Sequence, residues 1–200
     1  MPIGNDIIDL DEASKHRPQY YERLKSSSFT EDEWLLQDLP DGNTGLWLLW
    51  SLKEATFKSL VQGDWDGRRF FPIDYSVTSL KRNTNDFIAE IVFKDRIVRT
   101  ITSIQKQFLH TVTKPENDLK TRSDHFECPG EDYEHQSAEV RDQAVAALAL
   151  YLGQDRGSIA IIKNEDQVPQ FFINGEYLSS VDLSLSHHGR YGAYAMSFSH

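Results

Sequence analysis

The chain has a single cysteine, Cys128, among its 200 residues. That excludes an internal disulfide and a cysteine-rich zinc site, and it points to a reducing, cytoplasmic setting. Basic residues are also scarce: 21 Lys and Arg stand against 31 Asp and Glu, a net charge of −10. Such a balance argues against non-specific binding to nucleic acid or to an anionic membrane surface. An acidic partner could then dock only on a locally basic patch. No apolar run approaches the roughly 20 residues of a membrane span. The opening MPIGNDIIDLDEA lacks the basic and apolar regions of a secretion signal. No Gly-rich phosphate loop or nucleophile elbow occurs, and His16, His110, His125, His135 and His200 show no metal-ligand spacing. The rest is ordinary for a globular protein: 39% hydrophobic, 12% aromatic and 26% charged residues. The length permits one large domain or two small ones with a sizeable core.

The pattern along the chain is α+β. Ile3 to Leu10 reads as a short strand, and residues 12–25 as a helix. In SSSFTEDEW, Thr30 and Glu33 have capping-box spacing, a helix start. LPDGNTG (39–45) is a turn cluster, and the very apolar run LWLLWSLKEATFKSLV follows as a helix ending near QGDWDG. From Arg69 to Thr113, segments rich in β-branched and aromatic residues read as antiparallel strands. Residues 115–136 hold seven acidic residues, two basic ones and two prolines, the composition of a linker or exposed loop. A helix over SAEVRDQAVAALALYLG, with Gly153 as C-cap, then leads into four more strands.

Three stretches could carry chemistry. In the apolar helix, Ser51, Glu54 and Lys58 fall on one stripe (i, i+3, i+7) with leucines behind them. Taken alone, a solvated Glu–Lys pair accounts for that stripe. In GNDIIDL, Asp6 interrupts an apolar strand, where burial is costly unless the carboxylate is paired or binds a cation. It could equally cap a turn after Gly4. Asp6 and Glu54 together could supply two hard oxygens to Mg²⁺. In DLSLSHHGRYGAYAMS, Ser186 and His187 precede a glycine turn and could donate to phosphate, or be plain turn residues.

The order GNDIIDL, FTEDEW, WSLKEATFK, FPIDYSV, SLSHHGRYGAYAMS resembles the 4′-phosphopantetheinyl transferase superfamily. Its W-x-x-K-E-A-x-x-K helix is matched by Trp50, Lys53, Glu54, Ala55 and Lys58. The opening third looks like the small holo-acyl-carrier-protein synthases. The later sheet and residues 137–197 look like the two halves of the larger surfactin-type enzymes, in permuted order. The resemblance implies two similar α+β halves, a pseudo-dimer in which each half has a small antiparallel sheet and packed helices. The halves would be 1–114 with the metal and 137–200 with coenzyme A contacts, joined by a linker at 115–136. It implies Mg²⁺-dependent transfer of the phosphopantetheine arm of coenzyme A to a serine of an acyl or peptidyl carrier protein, releasing 3′,5′-ADP. Fatty-acid, polyketide and nonribosomal-peptide pathways all fit. Asp6 and Glu54 would hold the metal, Glu54 would take the serine proton, and Lys58, Ser186 and His187 would contact phosphates. KHR (15–17), Arg23 and Lys25 are the candidate docking patch, and a monomer would suffice.

Two departures stand out. The larger enzymes place a third carboxylate where this chain has Ile8, and their Gly-Lys-Pro stretch is here Gln167-Val168-Pro169. They motivate the alternative of a non-catalytic module that binds coenzyme A or a carrier protein. Asp9 lies on the strand face opposite Asp6, and Lys53 has no evident role.

Overall fold

A computed structural model describes residues 2–62, 69–84, 86–115, 119–128 and 132–199. The QGDWDG stretch beyond Gln62 lies outside the described residues.

The first unit is a five-stranded antiparallel sheet in the order β1-β5-β4-β3-β2 with a long helix, α4, packed on it. Strand β1 is Asn5–Asp9, and β2 to β5 are Ser76–Asn83, Asp86–Phe93, Arg96–Ile104 and Phe108–Lys114. The last four form a meander, because each apolar, β-branched segment is followed by a short turn. Strand β1 adds to its end with Asp6 opposite Thr111. Helices α1 (Leu10–Ala13), α2 (Pro18–Ser28) and α3 (Glu31–Trp34) precede α4 (Gly42–Val61). The single helix expected over 12–25 is split, because Pro18 has no N–H to continue a helix and instead opens α2.

Helix α4 is covered on nearly every side. Leu46, Leu48, Leu49, Leu52 and Leu60 are 4% exposed or less and belong to the main core. Each fully buried leucine contributes about 1.5–3 kcal/mol, so these residues fix the helix position firmly. Strand β1 lies directly against the helix at Gly4, where a Cβ would come within 2.0 Å of the Ala55 carbonyl. A glycine is therefore required there. The close crossing sets Asp6, two residues on, beside the next turn of α4.

The second unit contains two three-stranded sheets, β10-β11-β6 and β7-β8-β9. Their strands are β6 (Lys120–Glu127), β7 (Ile159–Lys163), β8 (Pro169–Ile173), β9 (Glu176–Tyr177), β10 (Val181–His188) and β11 (Tyr191–Phe198). Helix α5 (Tyr133–Leu152) packs on β10, β11 and β7 and ends at Gly153, which has left-handed φ of 64°. Segment 115–136, expected as a linker, instead contributes β6 and the first turn of α5. The expectation failed because β6 is an edge strand, with Lys120 to His125 exposed on both faces. Only Phe126 of this strand packs against the core, so its sequence carries no alternation of apolar and polar residues.

Candidate functional site

Two lysines of α4 end up in opposite situations. Lys53 is fully buried, and its Nζ donates to Ser28 O and to Glu33 Oε2, both at 2.8 Å. The ammonium also lies 4.8 Å from the Phe29 ring centroid. Glu33 is saturated in turn: Oε2 accepts the Thr30 N–H at 2.9 Å, completing the capping box, and Oε1 accepts the Val77 N–H at 2.8 Å. Burial pulls the Lys53 pKa down, and the Glu33 carboxylate opposes the shift. This closed pair ties α4 to α3 and β2, which gives Lys53 a structural place.

Lys58 sits among Asp6, Glu54 and Ser186. Its Nζ is 3.1 Å from Asp6 Oδ1, 3.2 Å from Glu54 Oε1 and 3.3 Å from Ser186 Oγ. Burial disfavours its charge, but the carboxylates of Glu54 and Asp6 outweigh that and hold the ammonium above its usual pKa. Glu54 is steadied by Trp50, whose Nε1–H donates to Oε2 at 2.8 Å. Trp50 and Glu54 are one helical turn apart, so the signature spacing itself makes this bond. Asp6 is 3% exposed, and its Oδ2 has no hydrogen-bond partner. Burial, and then the negative charge of Glu54, push its pKa up to about 6 against the pull of Lys58.

These groups lie where two cavities adjoin. One, about 450 Å³, is lined by Asp6, Glu54, Trp47, Trp50, His16 and Tyr20. The other, about 460 Å³, is lined by Arg141, Lys163, Phe57 and residues 165–169. Lys58, Tyr133, Leu185 and His187 line both. His187 Nδ1 donates at 3.0 Å to Gln136 Oε1, an assignment that follows because Gln136 Nε2 donates to Gly189 O at 2.7 Å. Burial lowers the His187 pKa, and Lys58, Arg141 and Lys163 lower it further. Three cationic side chains, Lys58, Arg141 and Lys163, thus stand near His187, with Glu165 and Asp166 also lining the second cavity.

All five expected site residues meet here. Asp6, Glu54, Lys58 and Ser186 are within hydrogen-bonding reach of one another through Lys58, and His187 lines the same cleft. Asp9 is elsewhere. Its carboxylate accepts two bonds from the Arg190 guanidinium, at 2.8 and 2.9 Å, and caps α1. Burial raises its pKa, but the Arg190 bonds outweigh that and hold it at about 2. It therefore has no part in the carboxylate cluster. The sequence reading missed Arg141, Lys163, Tyr133 and Gln136. Their only signal is basic or polar positions on the inner side of α5 and at the end of β7, which single out no residue without the fold.

Among the described residues no group of three or more His, Cys, Asp and Glu gathers as a metal site. The two carboxylates Asp6 and Glu54 do stand together, with one buried, unpartnered oxygen and the Lys58 ammonium between them. That donor set fits Mg²⁺, which takes one or two carboxylates and fills its other positions with water and phosphate oxygens.

The model of the 4′-phosphopantetheinyl transferase superfamily matches residues 2–114, which carry this carboxylate pair and its helix. The chain belongs to that superfamily. Membership supports a phosphopantetheinyl transferase role, with coenzyme A as the substrate and carrier proteins as the acceptors. Comparison with curated proteins finds no match. The matched region ends with β5 at Lys114, so the second wall of the cleft comes from sequence beyond it. No helix among the described residues is long and apolar enough to cross a membrane.

Proposed function

We propose that the protein transfers the 4′-phosphopantetheine arm of coenzyme A to a serine of an acyl or peptidyl carrier protein, releasing 3′,5′-ADP with the help of Mg²⁺. One observation carries this reading: Asp6, Glu54 and Lys58 converge between two cavities while Asp6 Oδ2 is left buried and unpartnered. A buried polar atom without a partner costs about 1–3 kcal/mol, and that cost is offset if a ligand completes it.

Asp6 and Glu54 are the residues to hold Mg²⁺, which when bound neutralises charge developing on the pyrophosphate. Lys58 then turns from the carboxylates to the phosphates, as a point charge on a flexible stem can. His187, Arg141 and Lys163 bind the anionic nucleotide end in the second cavity. Glu54 receives the proton of the carrier serine, with its carboxylate held by Trp50. The serine oxygen bonds to the phosphorus nearer the pantetheine, the bridging P–O bond breaks, and its electron pair leaves with 3′,5′-ADP. The hydrophobic wall of Trp47, Trp50 and Tyr20 limits water access to that phosphorus.

The carrier would dock on the shoulder formed by α1 and α2. His16 and Tyr20 on this shoulder line the carboxylate cavity, and the basic residues Lys15, Arg17, Arg23 and Lys25 within it are exposed. One chain supplies both walls of the cleft, so a cytoplasmic monomer with a pseudo-dimeric, permuted arrangement of halves is sufficient.

The test is to incubate the protein with coenzyme A, Mg²⁺ and several apo-carrier proteins and to measure each carrier's mass. Gain of one phosphopantetheine on any of them supports transfer, and loss of the gain with a chelator supports the metal. Coenzyme A binding with no mass gain on any carrier would replace transfer with the binding-module reading.

A further inference from the structure

Strand β1 ends its sheet, so the N–H groups of Asn5, Ile7 and Asp9 face an open edge, where unpaired donors are costly to bury. Strand β10 runs alongside in the same direction and takes them with side chains. Ser184 Oγ accepts from Asn5 at 2.9 Å, Ser186 Oγ from Ile7 at 3.1 Å, and His188 Nδ1 from Asp9 at 3.1 Å. The rungs are two residues apart on both strands, so the seam fixes how the two units register. Only the middle rung reaches the carboxylate cluster. While accepting from Ile7, Ser186 Oγ donates to Asp6 Oδ1 at 3.1 Å. A hydroxyl has one proton, and here it is committed to Asp6. Ser186 is 6% exposed. Asp6 Oδ1 thus holds two donors, Ser186 and Lys58, and Oδ2 holds none.

We propose that Ser186 is a positioning residue rather than a phosphate contact: it anchors Asp6 by Oδ1 so that Oδ2 is presented to the cation, and the seam holds it in place. The inference rests on the metal-assisted transfer reading. It would make the second unit part of the metal site through Ser186 without that residue itself being a ligand.

The experiment measures Mn²⁺ binding by electron paramagnetic resonance, together with transfer kinetics, for the whole chain and its variants. Ser186→Ala is expected to weaken Mn²⁺ binding about tenfold, the usual cost of losing a partner that orients a ligand. Its kcat should fall by a similar factor while KM for coenzyme A stays unchanged. Ser186→Thr keeps the hydroxyl and should restore both. Ser184→Ala removes the neighbouring rung without touching Asp6, so it should lower Tm as Ser186→Ala does and leave Mn²⁺ affinity alone. If Ser186→Ala does not fold, Ser186→Cys, a poor donor of similar size, gives the same reading. Wild-type Mn²⁺ affinity in the variant, or a raised KM for coenzyme A at unchanged kcat, would overturn the proposal. A wild type whose Mn²⁺ binding depends on Ser186 but which loads no carrier would defeat the transfer reading and leave this one standing. Transfer that needs no divalent cation would do the reverse.

Discussion

Lys53 and Lys58 are five residues apart on one helix, and both are held by carboxylates, yet they do different work. Around Lys53 both carboxylate oxygens are used: Glu33 gives one oxygen to Val77 and the other to Thr30 and Lys53. The side chains are 0% and 2% exposed. Around Lys58 the accounting does not close, since Asp6 Oδ2 is left over and Glu54 and Lys58 remain about a quarter exposed at a cleft. The difference teaches how to tell a structural charge from a functional one inside a single motif. A closed pair is complete in itself, whereas an open one is complete only with a ligand.

The largest expected effect comes from opening the open site further. Asp6→Asn should cut carrier loading by more than about 100-fold, the scale on which a misplaced reacting centre is felt. Its melting temperature at pH 8 should not fall, because burial has raised the Asp6 pKa to about 6 from the ordinary carboxylate value of 3.8. The native state then holds a proton that the unfolded chain has already lost between those two values. Stability from this group is full below about pH 4 and declines as pH rises through about 6. A calorimetric series from pH 4 to 8 comparing Asp6→Asn with wild type checks the sign. A deficit in the variant that grows with pH would contradict it.

Breaking the closed site should cost stability in place of chemistry. Lys53→Met strands a buried carboxylate at Glu33 and should lose about 3–5 kcal/mol, read from urea denaturation. Adding Glu33→Leu should recover only part of the loss, because the Thr30 and Val77 N–H groups then lose their acceptor. Folded Lys53→Met protein should load carriers at a near wild-type rate. An inactive but stable variant would mean that Lys53 belongs to the reaction.

Smaller effects sharpen the boundary. With Mg²⁺ well below saturation the rate should rise from pH 5 to pH 7 with a midpoint near 6, as Asp6 becomes a carboxylate able to hold the cation, and saturating Mg²⁺ should move that midpoint down. A profile flat over that range would remove Asp6 from the metal. Trp50→Phe keeps the ring and drops the bond to Glu54. It should lower kcat several-fold, consistent with the roughly 1 kcal/mol net worth of one hydrogen bond, and leave KM for coenzyme A unchanged.

Much of this was legible in the residues, because the signals were local. The i, i+3, i+7 stripe of Ser51, Glu54 and Lys58, the Thr30–Glu33 box and the Gly153 cap depend on helix geometry alone. Lys53 was opaque for the opposite reason. Its partner was in plain view as the capping-box glutamate, but joining residues 20 apart needs the packing of α3 onto α4. Strand β6 was hidden because an edge strand with only Phe126 packed against the core shows no period. The seam could not be read either, since alternating serines on a strand say nothing about a neighbour's N–H groups until the two strands lie side by side.

The most direct test sets Glu54→Gln against Glu33→Gln, the same chemical change at the open and the closed site, and reads the mass of an apo-carrier protein after incubation with coenzyme A and Mg²⁺. Both variants are assayed well below their melting temperatures. The account predicts that Glu33→Gln, though less stable, adds phosphopantetheine to the carrier, while Glu54→Gln leaves its mass unchanged. Wild-type loading by Glu54→Gln, or no loading by folded Glu33→Gln, would contradict it.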